Sequence, residues 1–194
     1  MRTSTRPDER FAGLGPVTAH TFACRYGEGV FVLAGELPVE LRLPDSAGAA
    51  APAGLRATPA GDAGLPAAVQ AAAAALRGLL ERYFAGAPVT FPLDVAAYAR
   101  AHGLTTFERE VYEALARVPY GTAVSYRELA DAAGHPNAYR ATGSVMARNG
   151  LPLLLPCHRV VRNDGRLGQY GSDPAWKERL LTLEGVTVKD GRLA

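Results

Sequence analysis

Apolar and polar positions divide the chain into stretches of different period. Residues 1 to 16, MRTSTRPDERFAGLGP, are polar and turn-rich and read as a flexible leader. VTAHTFACRY and GVFVLAGELPVELRLP are rich in β-branched and aromatic residues and predict strands, with GEG between them as a hairpin turn. Residues 45–66, DSAGAAAPAGLRATPAGDAGLP, show no periodicity and read as a flexible loop. AAVQAAAAALRGLLERYFAG then places apolar residues at helical spacing up to the stop signal Gly86, and VTFPLDV resumes an extended segment. Residues 17–95 thus predict an N-terminal mixed α/β domain.

From about Thr105 short helices joined by tight turns take over, predicting a second domain over 105–190. In TTFEREVYEALARVPYG, Thr106 is the expected cap, Arg109 and Glu110 fall in the first turn, and Phe107, Val111, Leu115 and Val118 share a face. SYRELADAAG predicts a helix opened by a Ser125–Glu128 capping box and closed by Gly134. AYRATGSVMARN follows after HPN, giving a helix-turn-helix pattern within an α/β (α+β) chain. One face of the second helix carries Ala138, Ala141, Gly143, Ser144 and Ala147, small enough for a backbone to approach a narrow nucleic-acid groove, with Arg140 and Arg148 at its edges. Close packing against a neighbouring helix would explain the same residues.

Composition changes this picture little. The chain has 194 residues, 48% of them hydrophobic, which excludes wholesale disorder. Its formal charge of +2 is made almost entirely with arginine, Lys177 and Lys189 being its lysines. Arginine favours phosphate and base stacking, although a GC-rich genome produces the same bias. From Arg117 to Arg179 nine basic residues face five acidic ones, a further mild tilt toward phosphate. Cys24 and Cys157 form neither a disulfide framework nor a zinc-like pair, and no apolar run approaches a membrane span. A cytoplasmic protein without metal is expected.

The stretch NGLPLLLPCHRVVRNDG, residues 149–165, carries the candidate chemistry. Cys157 is either a buried structural thiol or a nucleophile. His158 beside it could lower its pKa, and Pro152 and Pro156 stiffen its approach. In an extended segment the two side chains would point to opposite sides, unless a turn follows Pro156.

PCHRVV, together with PYGTAVSYRELA, RATG and YFAG, resembles the O6-alkylguanine-DNA alkyltransferase family from about Glu81 to Gly185. The resemblance implies a ribonuclease-H-like N-terminal domain and a mostly helical, winged-helix-like C-terminal domain carrying the helix-turn-helix. It implies irreversible, single-turnover transfer of an alkyl group from O6 of guanine in double-stranded DNA to Cys157, without cofactor. His158 would take the thiol proton through a water and Glu184 would orient His158. Tyr126 would hydrogen-bond the purine, Arg140 would fill the gap left by the flipped nucleotide, and Asn149 would tie the hinge to the Cys157 loop. The carbonyls of Cys157 and Val160 would accept from the guanine amino group. Met146, Pro152, Val160, Tyr170, Gly171 and Ser172 would shape the pocket, while Ala138, Ala141, Gly143, Ser144 and Arg148 would meet the minor groove. A monomer is implied, with cooperative loading on DNA as an alternative and O4-alkylthymine as a second lesion.

Five positions depart from the family pattern. Gly150 follows Asn149 where the family reads Asn-Pro, Thr142 and Ser144 replace residues of RAVGGA, and Tyr112 stands where tryptophan is common. Gly171 replaces a hydroxyl residue after Tyr170, with Ser172 one position later. Two other functions remain to be weighed. A non-catalytic lesion sensor would lack the acceptor cysteine; a Cys-His hydrolase would turn over repeatedly and need an oxyanion hole.

Overall fold

The computed structural model describes residues 11, 13–44, 50–58, 64–171, 173 and 175–194. Most of the expected leader, parts of the expected 45–66 loop, and Ser172 lie outside these residues. Contacts divide the chain into two compact units, Met1–Gly103 and Leu104–Ala194.

The first unit is built on a four-stranded sheet of order β3-β2-β1-β4, with β1 Val17–Cys24, β2 Gly27–Ala34, β3 Leu37–Arg42 and β4 Ala57–Thr58. β1 and β2 pair antiparallel from Val17↔Ala34 to Cys24↔Gly27, so Arg25 and Tyr26 make the turn and GEG belongs to β2. The long apolar segment expected as one strand breaks at Gly35, whose φ of +56° suits a turn into β3. β4 arises inside the stretch read as loop, pairing parallel to β1 through Ala19↔Ala57. Phe11, inside the expected leader, is buried with Ala19, Val30, Val32, Ala34 and Val39.

Residues Val30 to Ala34 of the central strand are all buried, because helices cover both faces. Helix α1 (Ala67–Phe84) sends Arg77 Nε to the Thr21 carbonyl at 2.8 Å and stacks Phe84 on Phe22. Helix α2 (Val95–His102) was not legible as a helix: the sequence reads as extended up to Val95. Asp94 accepts from Ala97 N–H at 2.8 Å and Gly103 ends the helix at φ +61°. Its His102 donates Nε2–H to Val39 O, 3.1 Å away, on the opposite face of the sheet from α1.

The second unit contains α3 (Thr106–Ala116), β5 (Val124–Ser125), α4 (Tyr126–Ala132), α5 (Tyr139–Met146), β6 (Val160–Val161), α6 (Ala175–Leu183) and the strands β7 (Val188–Lys189) and β8 (Arg192–Leu193). The α3 cap is Thr105, one residue before the expected position, in a capping box with Glu108. The Ser125–Glu128 box opens α4 as expected. α4 and α5 pack together across a short turn, the helix-turn-helix arrangement. Tyr112, where the family favours tryptophan, is buried and donates its hydroxyl to Val145 O at 3.1 Å.

Thr142 lies on the inner side of α5, fully buried, and its Oγ1 has no hydrogen-bond partner among the described residues. An unsatisfied buried hydroxyl costs about 1–3 kcal/mol. Thr142→Val, nearly isosteric, is expected to stabilise the unit by about 1–2 kcal/mol. Urea unfolding followed through Trp176, the sole tryptophan, reads this unit directly. A lowered midpoint would mean that the hydroxyl is satisfied in solution.

Candidate active site

The leucine-rich approach to Cys157 is a buried turn rather than the extended strand its composition suggests. Leu151, Leu153, Leu154 and Leu155 are all buried, and Leu153 sits at φ +75°. Leu155 N–H donates to Leu151 O at 2.9 Å, closing the turn. Pro156 then starts a single 3-10 turn over Cys157–Arg159. In such a turn successive side chains point about 120° apart, so Cys157, His158 and Arg159 fan into three directions rather than alternating sides.

Asn149 fixes the thiol. Its amide nitrogen donates to Leu155 O at 2.7 Å and to Cys157 Sγ at 3.0 Å, while its oxygen accepts from Leu151 N–H at 3.0 Å. That last bond closes an Asx turn around Gly150, so a side chain holds the hinge where the family uses proline. The Cys157 thiol is buried, and burial pushes its pKa up; the hydrogen bonds from Asn149 and Tyr170 and the Lys177 charge act in the opposite direction.

Behind the thiol lies a buried ionic cluster. His158 Nε2 is 2.8 Å from Glu184 Oε1, with neither side chain exposed. Arg159 clamps the same carboxylate through Nε at 2.9 Å and Nη2 at 2.8 Å, and donates to Val118 O at 2.6 Å. Gly121 N–H adds a fourth donor at 3.0 Å. Burial alone would raise the Glu184 pKa, but the hydrogen bonds and charges of His158 and Arg159 outweigh it and hold the group at about 2. Burial lowers the pKa of His158 despite the carboxylate. An ionised carboxylate only accepts, so the neutral imidazole carries its proton on Nε2 and its lone pair on Nδ1. Arg159, which sequence reasoning treats as structural, thus secures the anion that selects this tautomer.

A two-residue parallel ladder brings Tyr126 to the thiol. β5 immediately precedes Tyr126, β6 immediately follows the 157–159 turn, and they pair through Val124↔Val160 and Ser125↔Val161. The half-buried Tyr126 has its pKa raised by burial, and the Cys157 charge adds to the rise. Lys177, in α6, is a residue that sequence reasoning missed. It is 1% exposed, donates Nζ to Val160 O at 2.5 Å and lies 5.9 Å from the Tyr126 ring centroid. Burial lowers its pKa to about 8, Cys157 opposing and Arg162 adding to the fall. The Val160 carbonyl therefore already accepts from the Lys177 ammonium. Met146 is buried and Pro152 half-buried in the same unit. Gly171 is exposed at φ +49°, a left-handed conformation that favours glycine over the family's hydroxyl residue.

Helix α5 turns Arg140, Ala141, Ser144, Ala147 and Arg148 outward, with Ala138 at its N-cap. Gly143 instead faces inward, where a Cβ would meet the Tyr126 ring at 3.9 Å. Arg140 and Arg127 both lie 5.6 Å from the Tyr139 ring centroid. Arg148 is paired with Glu108 of the α3 capping box at 2.7 Å, so its guanidinium is engaged although exposed.

The profile described as 6-O-methylguanine DNA methyltransferase, DNA binding domain, matches residues 106–186, which include every side chain of this cluster. A methylated-DNA–protein-cysteine methyltransferase from Methanopyrus kandleri is 45% identical over 108 residues, covering 55% of this chain and 76% of that relative. The chain belongs to this family. As a member of the methylated-DNA–protein-cysteine methyltransferases it is also 40% identical over 112 residues to the constitutive enzyme of Bacillus subtilis, spanning 65% of that relative's length. The solved Mycobacterium tuberculosis family member in complex with DNA matches with a TM-score of 0.66 and 28% identity, over 86% of this chain and 92% of that one. The mixed α/β architecture is thus common to both.

Proposed function

We propose that the protein repairs DNA by moving one alkyl group from O6 of guanine to Cys157, once and irreversibly. The observation that carries this reading is a buried cysteine held by Asn149 and followed in the chain by an imidazole whose tautomer a clamped carboxylate selects. His158 receives the thiol proton, sulfur attacks the alkyl carbon, the O6–carbon bond breaks, and guanine leaves as an anion that the Tyr126 hydroxyl stabilises. The product thioether does not hydrolyse, so no second base is required.

The DNA role is supported by the outward small face of α5 and by the complex of the Mycobacterium tuberculosis relative. Ala138, Ala141 and Ser144 would follow the minor groove, and Arg140 would replace the flipped nucleotide, a rotation that costs a few kcal/mol. The carbonyls of Cys157 and Val160 would take the guanine amino group, between Tyr126 and Tyr170. In this reading the N-terminal unit is ribonuclease-H-like, the C-terminal one winged-helix-like, and the protein acts as a cytoplasmic monomer, with O4-alkylthymine a second substrate.

Incubation with duplex containing O6-methylguanine should add one methyl mass to Cys157 at a stoichiometry of one, and none to a Cys157→Ala protein. Binding without any gain in mass would favour the lesion-sensor reading; repeated turnover would favour a hydrolase.

A further inference from the structure

The β7–β8 hairpin lies beyond residues 106–186, and the proposed transfer makes no use of it. Asp190 and Gly191 turn it at φ +51° and +70°, the left-handed pair that a tight two-residue hairpin requires. A second tight loop docks on it. Gly165 N–H donates to Arg162 O at 2.8 Å and Arg162 N–H to Arg166 O at 2.9 Å, closing the NDG turn. Leu167 N–H then donates to Gly191 O and Leu193 N–H to Gly165 O, both at 3.0 Å. Laid side by side, the two ribbons gather Arg162, Arg166, Lys189 and Arg192 around one groove of about 660 Å³.

The arginines are seated, not merely exposed. A Cβ at Gly165 would lie 3.4 Å from Arg192 Nε, and one at Gly168 3.5 Å from Arg162 Nε, so both stems rest on bare glycine backbone. Both glycines have positive φ, which holds the positions for glycine. Against four cations the groove lining itself offers Asp190. Among the described residues this cluster holds an Arg166–Asp164 ion pair, at a loose 3.6 Å. Four like charges around one concavity repel one another, and a linear polyanion relieves that repulsion at several points at once. Guanidinium forks match phosphate oxygens bidentately. Arg162, which lines the groove, directly follows β6, the strand that pairs with the residues just before Tyr126.

We propose that this groove binds the phosphodiester backbone of the duplex on the flank of the lesion, adding phosphate contacts to those made at α5. The proposal rests on the DNA reading above, but it is read by binding alone, without transfer. Fluorescence anisotropy with undamaged duplex over a salt series compares the wild type with Lys189→Gln/Arg192→Gln. The slope of log affinity against log salt should flatten by about two, roughly one per lost phosphate contact. Lys189→Arg/Arg192→Lys, which keeps the charges, should retain the wild-type slope.

Parallel slopes for wild type and the Gln variant would overturn the groove and leave the transfer reading standing. Equal flattening in the charge-conserving variant would also overturn it, by showing a structural effect. A flattened slope in a protein that never gains methyl mass would uphold the groove and sink the transfer. Absence of duplex binding by the wild type would sink both.

Discussion

Glu184→Gln is expected to destabilise the C-terminal unit by about 3–5 kcal/mol, the cost of breaking a buried ion pair by removing one partner. The carboxylate receives four hydrogen bonds, from His158, from Arg159 twice and from Gly121 N–H. A neutral amide would turn an NH2 toward donors and leave the 6%-exposed Arg159 uncompensated. Since whole domains are stable by only about 5–15 kcal/mol, the loss should be plain in urea unfolding read at Trp176, and an unchanged midpoint would refute it. Acid adds a second signature. The folded His158 resists protonation, so an unfolded chain binds its proton first and stability falls as pH drops below 6.5. Glu184, held at about 2, adds a further loss as pH falls from 4.5 toward 2. The Gln variant should lack that lower limb.

The contrast between this cluster and its legibility in sequence is instructive. Local chemistry was readable where it is self-contained: the Ser125–Glu128 capping box predicts the start of α4, and Gly86 the end of α1. Helix α2 escaped because its eight residues follow an extended, proline-containing stretch, and its stability comes from packing against β3. The leucines before Cys157 satisfy strand propensity, but the Asn149 network bends them into a turn. Glu184 enters only through the family resemblance, since its partners are 25 and 26 residues away. Lys177 looks like a solvated helix charge. A signal was present: it lies three and four residues before the buried Leu180 and Leu181, on the apolar stripe of α6. A lysine on such a stripe is buried for a reason, here the Val160 carbonyl and the thiol.

Under the proposed transfer, the same cluster would set how the thiol loses its proton. His158→Gln should slow alkylation of Cys157 at neutral pH by about 10²–10⁴, the usual contribution of a positioned base. Glutamine can still donate to Glu184 Oε1, which preserves the buried network, but it cannot accept a proton. Because burial raises the Cys157 pKa above its ordinary value, its thiolate is scarce at neutral pH without a base. Single-turnover rates followed by the mass of Cys157 should therefore show two profiles. The wild type should gain rate as the imidazole loses its proton below 6.5 and then level off, since the base has become available. The variant should have no such step and should climb toward alkaline pH, following ionisation of the thiol itself. Coincident profiles would remove His158 as the base. A variant that recovers wild-type rates only at high pH would locate the function of the buried His158–Glu184–Arg159 cluster in keeping an otherwise unreactive, well-protected thiol available to one lesion at neutral pH.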